Sequence, residues 1–99
     1  MIVIRRTYAP KAGEGGKMLA LIKDAGAAMK AGGFPVVSVL RGWSGDHGVI
    51  YTEQRWKSIG DYEASRDAVR KTHAITSVFD KIYPTLEKTH HTDILEEVQ

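Results

Sequence analysis

The spacing of apolar residues along the chain predicts alternating strands and helices. Residues 1–8 are rich in β-branched and aromatic side chains and stop at Ala9-Pro10, where proline blocks further pairing, so they predict a strand. Apolar residues then recur at three- and four-residue steps across residues 18–29, which predicts a helix ending at Gly32-Gly33. The glycines at 13, 15 and 16 are interpreted as the approach to this helix.

The second half of the chain repeats this alternation. The β-rich runs 36–43 and 49–56 flank a turn-forming segment and predict an antiparallel hairpin. Ser58 precedes Asp61 with the spacing of a helix N-cap, and an apolar stripe continues to residue 86, with a break predicted at Thr72-His73. Pro84 should kink or end the last helical segment, and residues 90–98 predict an edge strand.

The order strand, helix, strand, strand, helix, strand predicts an α+β, ferredoxin-like βαββαβ fold. Right-handed crossovers give a four-stranded antiparallel sheet of order 4-1-3-2. With 99 residues the chain is expected to form a single domain, residues 1–99.

The predicted strands carry apolar residues on both faces. In the first, Ile2 and Ile4 point one way and Met1 and Val3 the other, and the second and third strands also alternate poorly. Helices can cover only one face, and soluble monomers rarely leave a large apolar surface in water. We therefore expect a homodimer in which two sheets close a barrel.

Composition narrows the function classes. Hydrophobic residues make up 42% and charged residues 26% of the chain, as in ordinary globular domains. Lys and Arg outnumber Asp and Glu by only 14 to 12 and are scattered, which argues against nucleic acid as a partner. The absence of cysteine excludes disulfides and thiolate chemistry and suits the cytoplasm, and no apolar run is long enough to predict a membrane partner.

The chain resembles the dimeric α/β-barrel superfamily and looks most like its NIPSNAP-type domains. The resemblance rests on these segments: Ile4-Arg5-Arg6-Thr7-Tyr8 leading through residues 10–13, Trp56 at the end of the third strand, Ser58 through Tyr62 and Arg66, and the late helix running into residues 89–98. It implies a barrel of two sheets with a cavity in each protomer between sheet and helices. Members of the superfamily use that cavity for cofactor-free oxygenation, haem degradation, isomerisation or ligand sensing.

No cofactor and no metal ion are predicted. The haem-degrading members rely on an Asn, Trp and His set, and this chain contains no asparagine, although His73 could still be an axial ligand. His90 and His91 would point to opposite faces of a strand and so make a poor metal pair, and both are interpreted as structural or solvated residues.

His73 is the candidate catalytic base, because it lies at the break where related barrels open their cavities. A histidine at a helix end often only caps carbonyl groups, which is the alternative interpretation. His47 lies in a polar turn and is interpreted as a solvated residue, or alternatively as an acid or base at the mouth of the cavity.

Candidate ligand-binding residues are the strand arginine and the aromatic side chains that could line an apolar pocket: Arg6, Tyr8, Trp43, Tyr51, Trp56 and Phe79. For each aromatic residue, packing in the core or in the dimer is the alternative interpretation and the one that we favour. Glu53 is expected to pair with an arginine of a neighbouring strand, and an arginine left unpaired at the cavity could hold a carboxylate or enolate.

Three functions remain open. The first is binding of a small apolar or aromatic molecule, in keeping with the absence of His-x-x-x-His, Gly-x-Ser-x-Gly and phosphate-loop motifs. The second is a cofactor-independent monooxygenase or isomerase acting on an enolisable substrate. The third is an accessory dimer without a ligand.

Overall fold

The computed structural model describes residues 1–98 and shows the predicted order of elements. They are β1 (Ile2–Tyr8), α1 (Gly15–Ala31), β2 (Val37–Arg41), β3 (Ile50–Trp56), α2 (Ile59–Lys71), α3 (His73–Ile82), a 3₁₀ turn (Tyr83–Thr85) and β4 (His91–Glu96). The four strands form one antiparallel sheet in the order β2-β3-β1-β4, which is the predicted order read from the opposite edge. The α+β, ferredoxin-like class is confirmed.

The helix cap and the helix-ending glycine predicted from the sequence have these roles in the structure. The Ser58 hydroxyl accepts a hydrogen bond from the Asp61 backbone N–H at 3.1 Å and caps α2. Gly33, with φ of +82°, takes the chain out of α1 in a conformation that favours glycine. Several boundaries differ from the prediction. In particular, α1 already begins at Gly15, so Gly15 and Gly16 belong to its first turn, and β2 ends at Arg41.

The predicted break between α2 and α3 is confirmed at Thr72. Its backbone is extended, with φ of −87° and ψ of 98°, and its hydroxyl donates a hydrogen bond to the carbonyl of Ala68 at 2.7 Å. The Thr72 carbonyl then accepts from the N–H of Ile75 at 3.0 Å and starts the next helix. Because the extended backbone of Thr72 interrupts the helical conformation, α2 and α3 are two separate helices.

The helices cover one face of the sheet. Tyr8 and Ile50 pack against the buried face of α1, which contributes Met18, Ile22 and Ala25. A smaller cluster of Ile4, Trp56 and Tyr62 packs beneath α2. Even-numbered residues of β1 therefore point toward the helices, as the alternation of a strand requires.

The helix-free face of the sheet is less apolar than predicted. Leu40 and Leu95 are exposed there, at 44% and 38%. Between them, however, the strand register places a polar row of Ser38, Glu53, Arg5 and Asp93. The Glu53 carboxylate pairs with Arg5 at 2.7 Å, which confirms the prediction that Glu53 pairs with an arginine of a neighbouring strand. The expectation of an apolar second face is therefore wrong in the middle of the sheet, where the charged side chains of Arg5 and Glu53 form an ion pair.

Among residues 1–98, no helix is both long enough and apolar enough to cross a bilayer.

Candidate functional site

A cleft of about 180 Å³ opens where α2 and α3 meet β1 and the residue before β4. We call it the arginine cleft. Its lining comes from β1 (Arg6), α2 (Arg66, Val69, Arg70), α3 (Ile75, Thr76, Phe79, Asp80), the 3₁₀ turn (Tyr83) and the approach to β4 (His90). Apolar side chains form its body and charged groups cluster on the β1 and α2 sides.

Two arginines in the cleft share a single neutral partner. The Arg6 Nη2 donates a hydrogen bond to the Tyr62 hydroxyl at 3.0 Å, and the Arg66 guanidinium lies 5.3 Å from the centroid of the same ring. Within residues 1–98, neither arginine has a carboxylate oxygen within 4.0 Å, whereas Arg70 lies 3.6 Å from Asp67. The charges of Arg6 and Arg66 are thus uncompensated inside the protein.

His90 is held between two tyrosine rings. Its centroid lies 5.2 Å from that of Tyr8 and 6.0 Å from that of Tyr83, the latter pair stacked at 13°. Its Nδ1 is buried and has no hydrogen-bond partner among the described residues. A proton on Nδ1 would therefore be left unpaired, which favours the neutral tautomer that carries its proton on Nε2.

The surroundings keep His90 uncharged at neutral pH. Burial lowers the pKa of its imidazole below 6.5, and the guanidinium groups of Arg6 and Arg66 lower the pKa further. Burial also raises the pKa of Tyr8 above 10.0, although the charge of Arg6 acts in the opposite direction. Tyr8 and His90 are therefore neutral, and the positive charge of the cleft resides on the arginines.

Three of the predicted ligand-binding residues come together here. Arg6 and Phe79 line the cleft and also a second cavity of about 20 Å³ between sheet and helices, which Tyr8 lines as well. That inner cavity has room for about one water molecule. Trp56 is not among the residues that line either cavity. Its ring lies 5.8 Å from that of Tyr62, and its indole N–H donates a hydrogen bond to the Gln54 side chain at 3.3 Å.

The remaining predicted residues lie elsewhere. Trp43 is fully exposed in the loop after β2, because the strand ends at Arg41. Tyr51 alternates with the core residue Ile50 and so occupies the helix-free face. His73, the predicted base, is an exposed first residue of α3 and is not among the residues that line the arginine cleft. The break at Thr72 leaves it on the outer side of the new helix.

The other histidines also separate. His47 lies in an exposed loop beside the start of α1 and borders two open depressions there, of about 380 and 340 Å³, away from the arginine cleft. His91 points to the helix-free face, where its Nε2 lies 2.9 Å from an oxygen of Asp93. His90 and His91 do point to opposite faces, but the structural interpretation of His90 misses its position in the cleft.

Arg66, Arg70 and His90 are among the cleft residues that the sequence-based site omits. Tyr62, Arg66 and Arg70 stand at four-residue steps and so share one face of α2, a signal available from spacing alone. The position of His90 follows only from the register of β4. Thr7 pairs with His91 in the antiparallel β1–β4 ladder, so Tyr8 and His90, one residue beyond that pair, come together.

Solved structures of similar fold are found. An uncharacterized NIPSNAP domain protein from Burkholderia xenovorans matches with a TM-score of 0.84 and 19% identity, covering 99% of this chain and 95% of the other. A NIPSNAP family protein from Agrobacterium tumefaciens matches with 0.81 and 17%, covering 98% and 92%. An antibiotic biosynthesis monooxygenase matches with 0.79 and 13%, covering all of both chains.

At these identities the similarity shows the fold, and the predicted resemblance to NIPSNAP-type domains is confirmed at that level. No family model and no curated protein matches the sequence. The chain is thus a ferredoxin-like α+β protein of the architecture shared by NIPSNAP domain proteins and antibiotic biosynthesis monooxygenases.

Proposed function

We propose that this protein binds a small molecule with an apolar or aromatic body in the arginine cleft. The observation that carries the proposal is that the volume of the cleft and its apolar lining both suit a molecule with a single ring. The cleft measures about 180 Å³, and Val69, Ile75 and Phe79 give it apolar walls. An engineered apolar cavity of about 150 Å³ in another protein accepts benzene, so this cleft has the capacity for one ring with a short substituent.

The chemistry of the lining favours a binding role over that of an accessory module without a ligand. A surface that serves only packing has no need of two unpaired arginines and a histidine nitrogen without a partner. Groups of this kind cost folding free energy when left unsatisfied, and native proteins retain them most often where a ligand completes the contacts.

A fragment screen followed by ¹H–¹⁵N correlation spectra of the full chain tests the proposal. Single-ring compounds should shift the amide signals of Ile75, Phe79 and His90. Val69→Trp should abolish these shifts by filling the cleft, whereas Ala68→Trp, on the exposed side of the same helix, should leave them unchanged. Shifts confined to the His47 loop, or shifts that survive in Val69→Trp, would refute a site in the cleft.

We propose further that a second copy of this chain covers the helix-free face of the sheet. The exposed Leu40 and Leu95 supply apolar contact, and the row between them carries both charge signs. A copy related by a two-fold axis therefore presents acidic groups to basic ones as well as leucine to leucine. This pairing leaves the arginine cleft open, because the cleft lies on the other side of the sheet.

Sedimentation at micromolar concentration tests the dimer. The wild-type chain should sediment as a dimer and Leu40→Asp as a monomer, while Ile59→Asp, an exposed apolar position on α2, should remain dimeric. A wild-type chain that sediments as a monomer would overturn the pairing without affecting the cleft.

A cofactor-independent isomerase or monooxygenase is the second candidate function. It is supported by His90, a neutral imidazole placed beside Arg6 and Arg66 in the cleft. Since His73 lies outside the cleft, proton exchange with a ligand would fall to His90, whose Nε2 accepts a proton only in the tautomer that carries its proton on Nδ1. Under this candidate, turnover of a ligand found in the screen should be lost in His90→Gln and retained in His73→Gln. Equal turnover in both variants would exclude His90 from the chemistry.

A further inference from the structure

We propose that the ligand of the arginine cleft is a monocyclic aromatic carboxylate, bound by Arg6, Arg66 and the Nε2 proton of His90. The inference rests on the proposed function, because it specifies the chemistry of the molecule that occupies the same cleft. It is carried by the pattern of charges around the cleft and by the geometry of the aromatic stack.

Among residues 1–98, Arg6 and Arg66 lack the carboxylate partner that most other arginines have. Arg5 pairs with Glu53 and Arg55 with Glu97, at 2.7 and 2.9 Å. Arg41 has no acidic partner among the described residues, but it is exposed, and an unpaired charge in water costs little. Arg6 and Arg66 are half-buried and unpaired, so a negatively charged ligand would recover the free energy that their partial desolvation costs.

The net charge of the cleft has the sign that a carboxylate requires. Its lining contains three guanidinium groups and one carboxylate, that of Asp80, while His90 is neutral. Asp80 is exposed on α3, and Arg70 is partly engaged by Asp67. The excess positive charge therefore falls on Arg6 and Arg66. A guanidinium group presents paired N–H donors that match the two oxygens of a carboxylate.

His90 adds a donor of fixed orientation. The ring stacks on Tyr83 and lies tilted by 37° against Tyr8, which restricts its plane, and the enclosed Nδ1 favours a proton on Nε2. An N–H from a neutral imidazole can donate to a carboxylate oxygen without adding a third charge to the site.

The aromatic part of the ligand is inferred from the same stack. Phe79 and Tyr83 lie with ring centroids 6.2 Å apart, and Tyr83 continues the stack onto His90. A flat ring packs favourably against such a surface, and a volume of about 180 Å³ limits the ligand to a single ring with its acid group.

Phenylacetate and phenylacetamide provide a matched pair of probes, since they are nearly identical in shape and differ in charge. In calorimetric or NMR titrations of the full chain at pH 7, phenylacetate should bind at least about tenfold more tightly than the amide, and added salt should weaken only the acid. Equal binding of the two would overturn the carboxylate inference and leave the proposed ring site intact. Failure of both probes to bind would overturn the carboxylate inference as well.

Variants assign the contacts. Arg6→Met and Arg66→Met should each weaken phenylacetate binding about tenfold or more and change phenylacetamide binding less than about threefold, so that the amide also reports correct folding. Arg41→Met is the matched control and should change neither. Equal losses for both probes in the cleft variants would contradict the inference.

The role of His90 has its own readout. The ¹⁵N shifts of its ring should show protonation at Nε2 in the free protein, and His90→Phe, which keeps an aromatic ring in the stack, should weaken binding of the acid more than that of the amide. Protonation at Nδ1 would remove His90 from the proposed set of donors.

Discussion

Arg5 and Arg6 are consecutive residues of β1, yet their side chains meet opposite electrostatic surroundings. Arg5 points to the helix-free face and forms an ion pair with Glu53 at 2.7 Å. Arg6 points toward the helices and finds only the neutral hydroxyl of Tyr62 at 3.0 Å. The alternation of a strand separates the two guanidinium groups by the thickness of the sheet. One charge is neutralised by the fold, and the other is the charge that we propose a ligand compensates.

This difference distinguishes a structural arginine from one available for binding. A charge that the chain itself compensates helps to fix the register of the strands, since Arg5 and Glu53 are direct partners in the β1–β3 ladder. A half-buried charge without compensation adds nothing of that kind to the folded state. The following predictions contrast the two faces, beginning with the largest expected effect.

Tyr8→Ala should destabilise the protein strongly and Thr7→Ala only weakly. Tyr8 is 2% exposed and packs in the main core cluster, so its loss should cost about 3–5 kcal/mol, as for other large core side chains. Thr7 is half-buried on the helix-free face, and its truncation should cost less than about 1 kcal/mol. Urea unfolding at one fixed protein concentration measures both. Similar losses would contradict the placement of Tyr8 in the main core cluster.

Glu53→Gln and Arg6→Met should differ in the same assay. Glu53→Gln removes the charge that compensates Arg5, and because the Arg5 side chain is 43% exposed the cost should be only about 1 kcal/mol. Arg6→Met removes a half-buried unpaired charge together with one hydrogen bond, and should fall within about 0.5 kcal/mol of wild type. A larger loss for Arg6→Met would show that Arg6 is mainly structural.

His90 should make stability depend on pH below 6.5. The pKa of His90 is lowered in the folded chain, so as the pH falls below 6.5 the unfolded chain takes up a proton that the folded chain does not yet bind. The free energy of unfolding should therefore decrease over that window and be unaffected by His90 above it. His90→Phe should lose less stability on acidification than wild type. Parallel curves for the two proteins would contradict a lowered pKa.

Trp43→Ser should have the smallest effect of the series. The side chain is fully exposed and lies outside the arginine cleft, so stability should change by less than about 0.5 kcal/mol and phenylacetate affinity should not change. Loss of phenylacetate affinity in this variant would restore Trp43 to the ligand site that the sequence predicted.

Most of the fold follows from signals that act over a few residues. The cap at Ser58, the glycines after α1, the break at Thr72 and the stop at Pro84 each depend on local backbone chemistry, and each is found where the sequence places it. The apolar character of the second sheet face was overestimated: a pair between Glu53 and a strand arginine was expected, but only the register shows that it lies in the middle of that face.

The site was predictable only in part, because it depends on which elements meet. Arg6 and Phe79 were found as polar and aromatic residues of a strand and a helix facing the same side. His73 was misplaced because its chain position near the break says nothing about which side of α3 it takes. His90 was underrated because only the pairing of β4 with β1 brings it against Tyr8.

The helix that carries Arg66 and Arg70 is also the helix that contributes least to the core. Only Tyr62 of α2 is buried, whereas α1 buries Met18, Ile22, Ala25 and Met29. Most substitutions along the cleft side of α2 can therefore be made at little cost to stability. A combinatorial library restricted to positions 66, 69, 70 and their neighbours on α2 would diversify ligand selectivity on an unchanged scaffold, which makes this small domain a practical starting point for engineered receptors.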